Sequence, residues 1–121
     1  MKNLMANELQ ILEQISHPNI VRIFELLEDD NNYYIVSELM KHGELQDFAS
    51  KRNGSKEDNF SEDEVSIMTK EIFLALNFMH QQNLVHRDLK PQNILIENPK
   101  TLELKITDFG FATFYDQNDK L

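Results

Sequence analysis

One apolar stripe between residues 61 and 80 constrains the fold of this chain more than any other feature. Apolar residues recur there at helical spacing, so they share one face of a predicted helix. They are Val65, Met68, Ile72, Ala75, Leu76 and Met79. Ser61 stands in front of the stripe with Glu64 three residues later, a pattern in which the two residues cap each other's free N–H groups. The sequence therefore predicts an amphipathic helix from Ser61 to about His80.

The segment before this helix predicts a short helix and a β-hairpin. Apolar residues from Leu9 to Ile15 follow helical spacing, and Pro18 should end that helix near Ser16, because proline disfavours helical backbone in the residue before it. The stretches 20–27 and 32–38 are β-branched and apolar, and turn-forming residues separate them. Two such stretches joined by a short polar turn predict an antiparallel hairpin.

Further elements complete an α+β pattern. A short helix is predicted from Glu44 to about Arg52. Short β segments are predicted at 84–85, 94–96 and 102–106, with a turn at Asn98-Pro99-Lys100. Helices and small strands in this order indicate an α+β fold rather than a repeated βαβ unit.

Composition excludes several classes of function. The 121 residues carry 12 Lys and Arg against 21 Asp and Glu, a net charge of −9, which argues against nucleic-acid binding. No stretch approaches the roughly 20 apolar residues that span a bilayer, so no membrane partner is predicted. The absence of cysteine suits a reducing compartment, so we expect a cytoplasmic or nuclear location. Residues 25–64 are the most acidic part, which favours either a solvated face or a surface for basic peptides.

Two motifs carry the chemistry. His86-Arg87-Asp88-Leu89-Lys90-Pro91-Gln92-Asn93 lies between two short predicted strands, and Asp108-Phe109-Gly110 follows twenty residues beyond Asp88. Together they match the sequence pattern of phosphoryl transfer. In that chemistry Asp88 orients the substrate hydroxyl and accepts its proton, and Lys90 faces the transferred phosphoryl group. Asn93 and Asp108 supply hard oxygen ligands for Mg²⁺.

Taken one at a time, these residues have ordinary alternatives. A single aspartate or asparagine in a loop is more often a turn former or helix cap than a ligand. Arg87 could form a surface ion pair, and His86 is expected to pack in the core and bond backbone rather than to catalyse.

With both motifs in register, the chain resembles the eukaryotic serine/threonine protein kinases. The likeness extends to His17-Pro18-Asn19-Ile20-Val21, to the stretch Tyr34–Met40 and to Gly43-Glu44-Leu45, which look most like the calcium/calmodulin-dependent and calcium-dependent group. The resemblance implies a partial kinase fold: helix C, the end of the N-lobe sheet, the hinge, helices D and E, the catalytic loop, D-F-G and the start of the activation loop. It divides the chain into an N-lobe remainder (1–37), a hinge (38–43) and the start of the C-lobe (44–121).

The resemblance also implies roles for individual residues. The nucleotide cofactor would be ATP with Mg²⁺. Glu8 matches the helix C glutamate that pairs with an ATP-orienting lysine, and Glu38 and Met40 match the hinge groups that bind adenine. Leu45 and Leu95 would form the apolar stack against adenine, with Ser37 behind it. Leu12, Ile23, His86 and Phe109 correspond to the spine of active kinases. Arg87 and Phe109 would be regulatory, and Glu44 would recognise a basic peptide substrate.

Two kinase motifs do not occur in these residues. Gly43, Gly54 and Gly110 cannot form a glycine-rich phosphate loop, and no A-P-E sequence is present. The expectation is therefore a truncated kinase domain that phosphorylates serine or threonine hydroxyls as part of a larger unit and is inactive alone. A pseudokinase-like, non-catalytic interaction module is the alternative. Any calcium-sensor regulation would come from outside this chain.

Overall fold

The computed structural model describes residues 12–52, 60–108 and 113–114. The helices are α1 (Leu45–Arg52) and α2 (Glu62–Gln81), with a 3₁₀ turn at Pro91–Asn93. The strands are β1 (Ile23–Glu28), β2 (Tyr33–Ser37), β3 (Leu84–Val85), β4 (Ile94–Asn98), β5 (Glu103–Ile106) and β6 (Thr113–Phe114). The strands form three antiparallel pairs, β1–β2, β3–β6 and β4–β5. The α+β class is confirmed.

The predicted hairpin is confirmed, but its first strand starts later than the apolar stretch does. Residues 20–22 are not part of β1, because Ile20 forms a parallel bridge with Ile106. The Val21 N–H donates to the Ile106 carbonyl at 3.0 Å, and the Ile106 N–H donates to the Asn19 carbonyl at 2.8 Å. The chain therefore passes along β5 before it enters the hairpin.

The helix before Pro18 ends earlier than expected. Residues 12–13 are helical, Gln14 is already in a turn, and the residues before Leu12 lie outside the described part. The Arg22 guanidinium donates to the Ile15 carbonyl at 2.8 Å. This carbonyl therefore bonds to a side chain instead of to an N–H group of a further helical turn.

The long helix α2 begins as its sequence predicts. Ser61 is the N-cap: its Oγ accepts from the Glu64 N–H, and its own N–H donates to Glu64 Oε1, both at 3.1 Å. Arg52, in the last turn of α1, forms two hydrogen bonds to the Glu64 carboxylate and lies 4.6 Å from the centre of the Phe60 ring. These contacts hold the end of α1 against the start of α2.

The buried face of α2 separates two apolar clusters. One joins α2 to the segment before β1 and to β5: Leu12, Ile15, Ile20, Ile23, Ala75, Met79, Leu84 and Ile106. The other lies under β4 and β5: Met68, Ile94, Ile96, Leu102 and Leu104. Ile72 packs against both clusters, so α2 fixes the β4–β5 pair relative to the chain before β1. None of the described helices is long and apolar enough to cross a membrane.

Candidate active site

Two short strands hold the loop that carries the first motif. The loop leaves β3 at Val85 and enters β4 at Ile94, and both strands contribute to the buried clusters. Pro91 opens the 3₁₀ turn, where the fixed proline backbone suits a first helical position. The Asn93 N–H closes that turn by donating to the Lys90 carbonyl at 2.9 Å. The loop is therefore fixed at the residues where chemistry is predicted.

Asn93 orients Asp88. Its Nδ2 donates to the Asp88 backbone carbonyl at 2.9 Å and to Asp88 Oδ2 at 3.1 Å. A carbonyl oxygen can only accept, so the atom that faces it must be the amide nitrogen. Asn93 is only 6% exposed, so its amide cannot reorient freely. Its Oδ1 is therefore the atom that could ligate a metal.

His86 links the loop to the residues between β5 and Asp108. Its ring is buried, its Nδ1 accepts from the Asp88 N–H at 3.1 Å, and its Nε2 lies 2.8 Å from the Thr107 carbonyl. Since Nδ1 accepts, the ring proton must sit on Nε2 and be donated to Thr107. This geometry agrees with the core role expected for His86, in which it bonds backbone and leaves proton transfer to Asp88.

Thr107 brings Asp108 next to the loop. The Thr107 N–H donates to the Asn93 carbonyl at 2.9 Å, and its carbonyl accepts from His86. Both backbone groups of Thr107 thus bond to the loop, and the exposed Asp108 follows with a positive φ of 60°. The structure therefore assembles Asp88, Asn93 and Asp108 around one set of hydrogen bonds.

The two basic residues of the loop lie at its surface. Lys90 Nζ is 3.6 Å from Asp88 Oδ1, and its side chain is half exposed, so the ammonium group can move toward a ligand. Arg87 is exposed and adopts a left-handed φ of 67°.

The residues expected to hold adenine do not all lie on one face of the β4–β5 pair. Leu45 packs against the buried cluster that contains Ile94 and Ile96, whereas Leu95 alternates with those two residues along β4 and so faces the other side. Met40, Leu45 and Leu95 are half-buried, and Ser37 is exposed at the end of β2. The Ile96 N–H donates to the Gly43 carbonyl at 2.9 Å, and Glu44 forms an antiparallel bridge with Leu95. These backbone contacts fix the end of the predicted hinge against β4.

The start of the predicted hinge is fixed by a side chain. Glu38 Oε1 accepts from Lys105 Nζ at 2.7 Å and from the Arg22 N–H at 3.0 Å. Burial raises the pKa of the Glu38 carboxyl, but the hydrogen bonds from Lys105 and Arg22 outweigh it, so this pKa lies below its ordinary value.

Some of these contacts were not predicted from the sequence, and two of the predicted site residues are not among those that the structure describes. Glu8 and Phe109 lie outside the described residues. Thr107 was not predicted, because it acts through backbone groups that leave no sequence signal. Lys105 was also missed, because β5 alternates charged and apolar residues, which is typical of a strand with one solvated face; only the pairing shows that Lys105 stands directly opposite Leu95.

The residues present fit a magnesium–nucleotide complex. Within residues 12–52 and 60–108, no group of three or more His, Cys, Asp or Glu side chains could hold a metal ion alone. Mg²⁺ bound with a nucleotide needs only one or two protein ligands, because phosphates and water complete its coordination. The Asn93 amide oxygen and the exposed Asp108 carboxylate match that requirement.

Comparison with known proteins identifies the family. Residues 1–121 match the family model described as the protein kinase domain, so the chain belongs to the protein kinase family. Calcium-dependent protein kinase 4 of Plasmodium falciparum is 37% identical over 99% of this chain and 22% of that protein. Calcium-dependent protein kinase 5 of the same organism is 40% identical over 97% of this chain and 20% of that protein. The expected likeness to the calcium-dependent group is confirmed.

A solved structure gives the same result for the fold. The crystal structure of Rad53 residues 1–466 in complex with AMP-PNP matches with a TM-score of 0.80 and 38% identity, over 87% of this chain and 27% of that chain. The fold is therefore that of part of a protein kinase domain. Another relative, RAD53 of Saccharomyces cerevisiae, is named a serine/threonine-protein kinase. The chain spans about a fifth of the length of the curated relatives described here.

Proposed function

We propose that this chain provides the catalytic loop and metal-binding segment of a kinase that transfers the γ-phosphoryl group of ATP to serine or threonine hydroxyls of proteins. The observation that carries the proposal is the orientation of Asp88 by Asn93, at 2.9 and 3.1 Å, with Asp108 tied to the same loop through Thr107. A positioned carboxylate and two metal ligands are what phosphoryl transfer requires.

In this proposal Asp88 accepts the proton of the substrate hydroxyl. Asn93 holds its Oδ2 and His86 holds its N–H, so the Oδ1 edge, which Lys90 Nζ approaches to 3.6 Å, can face a substrate. Lys90, whose ammonium group already lies near that edge, would contact the transferred phosphoryl group. Positioning supplies most of the rate, because the transition state of phosphoryl transfer needs little covalent assistance.

Mg²⁺, when bound with ATP, neutralises charge on the phosphates, and Asn93 Oδ1 and Asp108 would be its protein ligands. Residues 38–43 would form the hinge between the N-lobe remainder (1–37) and the start of the C-lobe (44–121). Adenine would lie between the hinge and the half-buried Leu45 and Leu95.

The substrate is proposed to be a basic protein segment. Glu44 is half-buried at the end of the hinge, beside the strand that leaves the catalytic loop, and residues 25–64 are strongly acidic. A field of this sign attracts arginine-rich and lysine-rich peptides. Control by calcium through another part of the protein is proposed from the likeness to calcium-dependent kinases.

The test is phosphotransfer from Mg-ATP to a serine peptide that carries an upstream arginine, with the protein at its full natural length. Asp88→Asn should lower kcat by at least about 100-fold, because it removes the proton acceptor while it preserves shape. Asp63→Asn removes the same charge from the exposed first turn of α2 and serves as the matched control. Equal activity of Asp88→Asn and the wild type would contradict the proposal.

The 121 residues alone should transfer phosphate poorly. They contain no glycine-rich loop to hold the triphosphate, and stabilisation of developing charge is often the largest catalytic contribution. Phosphotransfer by the 121-residue polypeptide at the rate of the full-length protein would contradict this expectation.

A further inference from the structure

We propose that Lys105 is a positioning residue for the nucleotide site: its ammonium group holds the Glu38 carboxylate and so fixes the backbone of the hinge that binds adenine. The inference rests on the proposed function, because it concerns how ATP is held. Lys105 itself does not have to touch the nucleotide.

Glu38 is bonded through both its side chain and its backbone. Its Oε1 accepts from Lys105 Nζ at 2.7 Å and from the Arg22 N–H at 3.0 Å. Its own N–H donates to the Arg22 carbonyl at 3.0 Å. Because this N–H already donates to Arg22, it is not available to adenine. The Glu38 carbonyl oxygen is then the backbone group of this residue that would accept a hydrogen bond from the adenine amino group.

Lys105 lies at a junction between the parts of the proposed site. It stands directly opposite Leu95 in the β4–β5 pair, and opposite residues of an antiparallel pair share one face of the sheet. It also precedes Asp108 by three residues. One side chain thus connects the start of the hinge to β5, which ends two residues before the proposed metal ligand Asp108.

The hinge is fixed to the β4–β5 pair at both ends. At its far end, the Gly43 carbonyl accepts from Ile96 and Glu44 bridges Leu95. Between the two ends the chain is mostly exposed: Leu39 is 81% accessible, and Met40 is half-buried. A segment exposed in the middle takes its conformation from its ends, and the Lys105–Glu38 pair is the side-chain contact that joins the first end to β5.

The pair is shielded enough for its loss to matter. The Lys105 and Glu38 side chains are only 15% and 24% exposed, so water and salt screen them less than they screen a surface pair. Without Lys105, the hinge would sample more conformations, and ATP would have to select the competent one, which weakens apparent affinity. Contacting pairs of this kind couple strongly enough that we expect Lys105→Met to raise the KM for ATP about 3- to 10-fold.

The experiment measures the KM for ATP and kcat at saturating peptide in the full-length protein, together with the affinity for AMP-PNP. The variants are Lys105→Met, Glu38→Gln and the double variant, with Lys105→Arg as the conservative exchange. Lys100→Met is the matched control, because it removes the same charge from the exposed β4–β5 turn. Where Lys105→Met does not fold, Glu38→Gln tests the same contact.

The proposal predicts a higher KM with a smaller change in kcat, partial rescue by Lys105→Arg, and a double variant no worse than the worse single variant. An unchanged KM would overturn it, as would additive effects of the two single exchanges. A lower KM would also overturn it, because the pair would then hold the hinge in a conformation that binds ATP less well. Absence of nucleotide binding and activity in the wild type would instead contradict the proposed function.

Discussion

The exchange Asn93→Asp tests whether the orientation of Asp88 depends on one amide nitrogen. Aspartate has the shape of asparagine but replaces the Nδ2 donor with an oxygen. It therefore removes the hydrogen bonds to the Asp88 carbonyl at 2.9 Å and to Asp88 Oδ2 at 3.1 Å. It also places two carboxylates within hydrogen-bond distance at a site where Asn93 is 6% exposed.

The size of the effect follows from those two contacts. A neutral hydrogen bond contributes about 0.5–1.5 kcal/mol to stability, and one to a charged group about 1.5–3 kcal/mol. We therefore expect Asn93→Asp to lower the free energy of unfolding by about 2–4 kcal/mol at neutral pH.

The loss should depend on pH with a defined sign. Two adjacent carboxylates raise the pKa of one of them in the folded state. The folded variant then holds a proton more tightly than the unfolded chain does, so its stability relative to the wild type falls as pH rises through the raised pKa. The deficit should be small near about pH 4, where a shared proton replaces the lost donor, and complete near about pH 7.

Urea denaturation of the purified protein at several pH values measures this. Asn98→Asp is the matched control, because Asn98 acts through Oδ1, which accepts from the N–H groups of Lys100 at 2.9 Å and Thr101 at 3.3 Å. A carboxylate keeps both bonds, so this variant should remain close to the wild type. A deficit of Asn93→Asp that does not change with pH would refute the reasoning, as would no deficit at all.

Two further predictions concern local structure. Gly43→Ala should lower the free energy of unfolding by about 1 kcal/mol, because Gly43 has a φ of +76°, which alanine adopts with strain. An added Cβ would meet no atom within 4 Å, so the cost is conformational alone. Urea denaturation measures this loss, and Gly43→Asn should cost less, since asparagine tolerates this backbone conformation better. The hydrogen bonds from Arg52, then from Ser61, lower the pKa of Glu64 from 4.5 to about 2, so the stabilisation by Glu64 is present above pH 4.5 and is lost as pH falls toward about 2. Glu64→Gln should therefore lose less stability than the wild type over that range, and equal losses would contradict the assignment.

Elements defined by neighbouring residues could be predicted from the sequence. The start of α2 depends on Ser61 and Glu64, which are three residues apart, and the hairpin depends on apolar stretches joined by a polar turn. The position of Asp88 and Asn93 in one loop between two short strands could also be predicted, while their roles in phosphoryl transfer stay predictions.

Contacts between distant residues could not be predicted in this way. The bridge between Ile20 and Ile106 delays the start of β1, and nothing in the apolar stretch 20–27 distinguishes that bridge from a longer strand. The Glu38–Lys105 pair joins residues 67 positions apart. Thr107 fixes Asp108 through backbone groups that every residue except proline carries, so its identity gave no signal.

The most direct test of the proposed kinase function follows the γ-phosphoryl group itself. The full-length protein is incubated with Mg-ATP and a basic peptide that contains one serine. A parallel reaction uses the same peptide with alanine in place of that serine. Mass spectrometry then measures the mass of each peptide product. We expect phosphate on the serine peptide alone, and none with Asp108→Asn. Phosphorylation that persists in Asp108→Asn, or a folded wild-type protein that leaves the serine peptide unmodified, would contradict it.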